Sequence, residues 1–262
     1  MLPLVEQLAT TWTSVLDLCA DLDERDWKRP TGCPGWSVQD NVSHLVDYES
    51  FALGRPRPEH EVGEVAHARN DMGSINEIGV DVRRGRAGAE VLEELRDVTG
   101  ERLGRLESLT DADLDRQTDT PIGPGTVRDL LTLRVMDTWS HEQDIRRALD
   151  RPGHTRGDAA DTAIAYLLRF VPFAVAKLAG APDGTTVVLH VDDRPPFAVG
   201  VEGGRGRALD VVPDNPTVVL RTDVAQLQAL TCGRSDADPA AVEVAGDEVL
   251  GRRVVEHLGF MP

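Results

Sequence analysis

Asp137 and His141 lie four residues apart in the segment Leu133-Arg-Val-Met-Asp-Thr-Trp-Ser-His141. A spacing of four stacks two side chains on one face of a helix. A carboxylate oxygen and an imidazole nitrogen stacked in this way make half of a divalent-metal site, suited to Zn2+ and also to Ni2+, Mn2+ or Fe2+. A helix wheel indicates where that face points. At 100° per residue, Leu130, Leu131, Val135, Ile145, Ala148 and Leu149 all fall within about 80° of Val127, and so do Arg134, Asp137 and His141. Three polar side chains on the apolar side of a helix cost several kcal/mol unless they are paired or ligated.

A third ligand must come from another helix, and His44 in Asp40-Asn-Val-Ser-His-Leu-Val46 is the candidate. It falls at the flank of a stripe made by Val38, Val42, Leu45 and Val46, from where it could reach a cavity between helices. Two His and one Asp leave a coordination position open, as catalytic sites do. Two alternatives stand beside this reading. A histidine next to an apolar stripe also fits a packed, hydrogen-bonded side chain. Asp137 could pair with Arg134 as a buried ion pair, with His141 a bystander.

The elements that must position these residues are mostly helical. Apolar periodicity predicts helices over residues 3–22, 37–53, 71–84, 88–109 and 126–149, with the stretches at 54–70 and 118–125 as loops. Ser37 with Asp40, and Thr126 with Asp129, have the spacing of capping boxes. A further helix spans about 156–179, after which the texture changes. Residues 185–191, 197–201, 208–212 and 217–220 read as strands, and short helices follow near 223–232 and 247–258. The fold class expected is α plus α+β: a four-helix bundle over 1–153, then a smaller α+β domain over 154–262, with the 156–179 helix as bridge.

Composition narrows the partners. A formal charge of −17 and a pI near 4.7 repel nucleic acid and anionic membrane, so neither is expected to bind. No run of ~18 consecutive apolar residues, the length of a membrane span, occurs, and the opening Met1-Leu-Pro-Leu-Val-Glu lacks the basic region of a signal peptide. Cys19, Cys33 and Cys232 are odd in number and form no CxxC pair, which fits a reducing cytoplasm. Cys33 reads as a small packed residue in a tight loop, and His60 and His67 as surface residues or part of a lid.

Three segments carry a family resemblance. Pro30-Thr-Gly-Cys-Pro-Gly-Trp-Ser-Val-Gln-Asp-Asn-Val-Ser-His-Leu-Val46 and Arg134-Val-Met-Asp-Thr-Trp-Ser-His-Glu-Gln-Asp-Ile-Arg-Arg-Ala-Leu149 resemble the signatures of the mycothiol-dependent maleylpyruvate isomerase family, a DinB-like metal-binding bundle. Leu230-Thr-Cys-Gly-Arg234, followed by Val244-Ala-Gly-Asp247, looks like that family's C-terminal domain. The resemblance implies a divalent metal, Zn2+ before others, held by His44, the acid at 137 and His141. It implies mycothiol as co-substrate and a small electrophile as its partner. The characterised isomerase has Glu where this chain has Asp137, one methylene shorter. The family's active-site arginine matches Arg234, and Arg83 or Arg84 would be a further one.

Arg134 and Arg234 could then hold carboxylates of an anionic substrate, and Asp144 could orient a ligand or pair with Arg147. Three function classes follow. One is a metal-dependent enzyme that transfers or isomerises through a low-molecular-weight thiol. The second is a metal-containing protein that only binds a small molecule. The third is a structural protein in which the polar trio is an ion-pair network.

Overall fold

Two reciprocal caps start the helices that carry the trio. The Ser37 hydroxyl accepts from the Asp40 amide at 3.2 Å, and Asp40 Oδ2 accepts from the Ser37 amide at 2.9 Å. Thr126 and Asp129 repeat this pairing at 3.1 and 3.0 Å. Each box satisfies amides that a helix start leaves open. The expected starts are therefore observed.

The computed structural model describes residues 1–63, 65–68 and 70–260. It is a mixed helix-and-sheet fold that divides into two compact units, Met1–Ala163 and Ile164–Pro262.

The first unit contains α1 (Pro3–Cys19), α2 (Glu24–Trp27), α3 (Val38–Ala52), α4 (Asp71–Asp81), α5 (Gly88–Leu106), α6 (Asp111–Leu114) and α7 (Val127–Leu149). Helix α1 packs along α7 and α5, and α3 packs along α5 and α7, so the four long helices close a ring. One apolar core inside it joins Val15 and Leu18 of α1, Val42, Leu45 and Val46 of α3, Leu95 and Val98 of α5, and Ile145 of α7. Another joins Leu8 and Trp12 to Leu131 and Val135. Trp27 closes on Gly88, where an added Cβ would lie 2.1 Å from its indole ring, so only glycine fits there.

Residues 118–125, expected as a loop, contain a hairpin instead: β1 (Gln117–Thr120) pairs antiparallel with β2 (Gly123–Thr126). Its arms have no apolar alternation, and that is the signal by which a strand is read.

The helix expected over 156–179 begins as α8 (Asp158–Leu168) and then breaks. It resumes as α9 (Val171–Phe173) and one π-helical turn, Ala174–Leu178. Pro172 has no amide to donate, which prevents an unbroken ladder. By length and composition Asp158–Leu178 could cross a membrane, but 61% of its apolar window is buried inside the protein, as in a core helix.

The second unit holds a five-stranded sheet, built from β3 (Thr186–Val191), β4 (Phe197–Glu202), β5 (Arg205–Ala208), β6 (Val218–Thr222) and β7 (Glu243–Gly246) in the order β5-β4-β3-β6-β7. Only β3 and β6 run parallel. Helices α10 (Val224–Thr231) and α11 (Glu248–Glu256) complete it, and α11 packs on β6 and β7. The strand expected at 208–212 is displaced to Arg205–Ala208. Gly203 and Gly204, at φ +57° and +66°, form a two-residue turn that pairs Glu202 with Arg205 and so fixes the register. Val211 and Val212 are left exposed beyond it. Strand β7 had no counterpart in the sequence reading.

Candidate functional site

Helix α3 has no solvent face from Val38 to Asp47, and only its last turns reach the surface. Gln39, Asp40, Asn41, Ser43, His44, Asp47 and Glu49 are all buried beside its valines and leucines. Helix α7 likewise buries Arg134, Thr138, Ser140, His141, Glu142, Gln143 and Asp144. Polar groups at this density inside a protein must satisfy one another.

The structure brings His44, Asp137 and His141 together, with one ligand atom from each lying within 4.8 Å of the others. His44 Nε2 is 3.4 Å from Asp137 Oδ2, and His141 Nε2 is 3.7 Å from Asp137 Oδ1. The two imidazoles meet edge to face with centroids 4.8 Å apart. Trp36 lies against both rings, at 5.2 and 5.6 Å. His44 and His141 are buried, whereas the Asp137 side chain keeps 24% of its surface exposed, so the cluster opens on the carboxylate's side.

Protonation in this setting suits cation binding. Burial pushes the His44 pKa down, keeping a neutral imidazole with a lone pair at neutral pH. Burial opposes charge on Asp137 too. The Arg134 guanidinium, His141 and the His44 hydrogen bond outweigh it and hold the carboxyl well below its usual range. Neutral imidazole with ionised carboxylate is the state in which these groups ligate metal.

Arg134 is 2% exposed and committed on three sides. Its Nε and Nη2 face Glu49 Oε1 at 3.0 and 2.9 Å, and its Nη1 donates to Asp137 Oδ2 at 2.5 Å. The guanidinium carbon lies 3.6 Å from the centre of the Tyr48 ring. Glu49 also faces Arg102, at 3.5 Å. The buried Arg134–Asp137 pair weighed as an alternative thus exists, and the same Asp137 carboxylate faces both histidines.

The remaining sequence candidates fall as follows. Asp144 is fully buried, with Oδ1 accepting from Arg147 at 2.8 Å and Oδ2 3.6 Å from His141 Nδ1. Both weighed partners are therefore present, but not on a solvent face. Arg83 clamps Glu94 and donates to Gly79 O at 2.6 Å, and Arg84 faces Asp40, Glu77 and Asp81. Neither joins the trio through these contacts. Arg234, in the second unit, donates from Nη1 to Cys232 O at 3.0 Å.

His60 and His67 are half-buried and tied to α4, on Asp81 at 2.7 Å and on Glu77 respectively. Glu77 also accepts from Trp36 Nε1 at 2.5 Å. Cys33 packs with Trp36 and Val80, and one donor atom each from Cys33, His141 and Asp144 lie within 4.8 Å of one another.

Sequence reasoning missed Asn41, Glu49, Trp36 and Tyr48 as parts of the site. The missing signal was the polar content of α3. A helix buried over most of its length with seven buried polar residues differs from an amphipathic surface helix and marks the wall of a candidate site.

Comparison with known proteins follows the same lines. The family model described as the mycothiol maleylpyruvate isomerase N-terminal domain matches residues 8–146, and that family's C-terminal domain model matches residues 161–253. Uncharacterised proteins from two strains of Mycobacterium tuberculosis, CDC 1551 and H37Rv, are each 27% identical over 149 residues. That stretch is 56% of this chain and 56% of theirs, so the chain spans about half the length of the curated relatives it matches. The crystal structure of the mycothiol-dependent maleylpyruvate isomerase is similar, with a TM-score of 0.55 and 15% identity over 93% of both chains. A histidine-to-alanine mutant of that enzyme gives the same values. At this identity the likeness shows a shared fold.

Proposed function

The chain belongs to the mycothiol maleylpyruvate isomerase family, and from that premise we propose that it is a metal-dependent enzyme using a low-molecular-weight thiol, mycothiol, on a small electrophile. The reaction is S-transfer to that electrophile or its isomerisation. The four long helices are read as a DinB-like bundle whose interior holds the site. The observation that carries the proposal is the convergence of His44, Asp137 and His141, two buried imidazoles and one ionised carboxylate. The donor set fits a divalent ion of the Zn2+ type and leaves a position for a further ligand.

When bound, such an ion supplies a Lewis acid and lowers the pKa of a thiol beside it. The protein's own groups do the rest. His44 and His141 present nitrogens from two different helices, and the packing of α3 on α7 sets their separation. Arg134 holds the Asp137 carboxylate ionised and turned toward the histidines. Trp36 covers both imidazoles with an apolar ring, which keeps water from that side. Recognition of an anionic substrate group is assigned to Arg234, on the motif Leu230-Thr-Cys-Gly-Arg234 alone.

Elemental analysis of purified protein, with His44→Ala and His141→Ala beside it, tests the metal. Stoichiometric metal in the parent and a loss in both variants is expected; retention in both rejects the site. Turnover of a bimane electrophile with mycothiol then tests catalysis. Bound metal without turnover with any thiol would favour a binding protein.

A further inference from the structure

His141 carries a question that the metal reading leaves open: which ring nitrogen holds its proton. Its Nδ1 lies 2.7 Å from Asn41 Oδ1, a contact between fully buried groups. An amide can be placed either way round, so the direction must come from the rest of its network. Asn41 Nδ2 donates to the Ser37 carbonyl at 2.8 Å and to Thr31 Oγ1 at 3.0 Å. The Thr31 hydroxyl gives its own hydrogen to the Trp36 carbonyl at 2.9 Å, so toward Asn41 it accepts. Turning the amide round would set its oxygen against the Ser37 carbonyl oxygen. Asn41 is 0% exposed, so no water is at hand to relieve that clash. The amide oxygen therefore faces His141, and Nδ1 must donate. Asp144 Oδ2, 3.6 Å from the same nitrogen, favours the same proton.

We propose that Asn41 is a positioning residue that locks His141 as the Nδ1–H tautomer, so that Nε2 alone offers a lone pair, on the side of Asp137 and His44. This rests on the metal reading for its purpose but not for its geometry. It also decides between two donor groups that share His141. The set of Cys33, His141 and Asp144 lies close enough to hold an ion. Yet Nδ1, the ring nitrogen nearer Asp144, holds the proton, and the Asp144 carboxylate is bound to Arg147. The ring thus serves one site only. The device reaches back to the loop: Thr31 and the Trp36 carbonyl fix the amide, and the Trp36 ring lies over the imidazole that the amide orients.

Nitrogen-15 NMR of the metal-free protein tests this directly, at a pH well above the ordinary histidine range, with the His141 signals identified by their loss in His141→Gln. Nδ1 should read as protonated and Nε2 as bare. The reverse pattern, or rapid exchange between the two, overturns the proposal. Zn2+ affinity by chelator competition adds a second measure. Asn41→Leu, which removes the acceptor, should bind Zn2+ about 10–100-fold more weakly.

Should Asn41→Leu unfold, the tautomer in the parent still decides. A residue that only tied α3 to α7 would leave the tautomer mixed in the parent. If the parent shows the locked tautomer and binds no Zn2+, the metal reading fails and the positioning role stands.

Discussion

Replacing Arg134 with methionine tests the electrostatic logic of the site. The change keeps much of the side-chain bulk and removes the charge between Glu49 and Asp137. Glu49 is 1% exposed and would lose its contacts at 3.0 and 2.9 Å. Removing one partner of a buried pair costs about 3–5 kcal/mol, because the other charge stays buried and uncompensated. Arg102 still faces Glu49 at 3.5 Å, and Asp137 is part-exposed, so the lower figure applies. A loss of about 3 kcal/mol lowers Tm by roughly 6–12 °C in a domain of this size. Thermal unfolding of metal-free parent and Arg134→Met reads this.

The double variant Arg134→Met with Glu49→Gln should be more stable than the sum of the two single changes, since the stranded charge is gone. Zn2+ at about a hundred times its Kd should return about 2.7 kcal/mol to any variant that still binds it. At one fixed Zn2+ concentration the gain in Arg134→Met should be smaller than in the parent, because Asp137 loses the guanidinium that holds it ionised and turned toward the histidines. A Tm drop of under about 2 °C, or strict additivity of the double variant, would refute the reasoning.

Two other expectations concern titration. Burial lowers the pKa of His44 below its ordinary 6.5, so the unfolded chain takes up that proton before the folded one does. Metal-free stability, measured by urea unfolding, should therefore fall as pH drops below about 6.5, and His44→Gln should lose that part of the slope. Asp137, held well below 3.8, adds a further loss as the pH falls through the carboxylate range. An identical slope in parent and His44→Gln above about pH 5 would contradict this. Cys19 is 1% exposed and burial pushes its thiol up to about 12, so a thiol reagent at about pH 8 should label it only in denaturant; fast labelling in the native protein would contradict its burial.

The helices of the first unit were legible because each signal for them is local. Ser37 with Asp40 and Thr126 with Asp129 cap where their spacing says they should. Periodicity on α7 was enough to place Arg134 and His141 inside, with Asp137 beside them at the part-exposed edge. The hairpin before α7 and the displaced strand β5 were not legible, because pairing partners set their registers.

What the sequence determined by itself was that Asp137 and His141 share one face of a helix, and where the helices carrying the three candidate donors lie, since spacing and apolar face are properties of a short segment; His44 was singled out mainly by the family resemblance. It could not supply the separation of His44 and His141, which depends on how α3 packs against α7. Nor could it show that Arg134 would spend its charge on Glu49 and Asp137, or that Asn41 would aim an amide oxygen at His141. Those partners stand 85 and 100 residues apart in the chain, for Glu49 with Arg134 and for Asn41 with His141. At such distances only the packing of helices decides which buried polar groups meet, and so which carboxylate is ionised and which nitrogen keeps its lone pair.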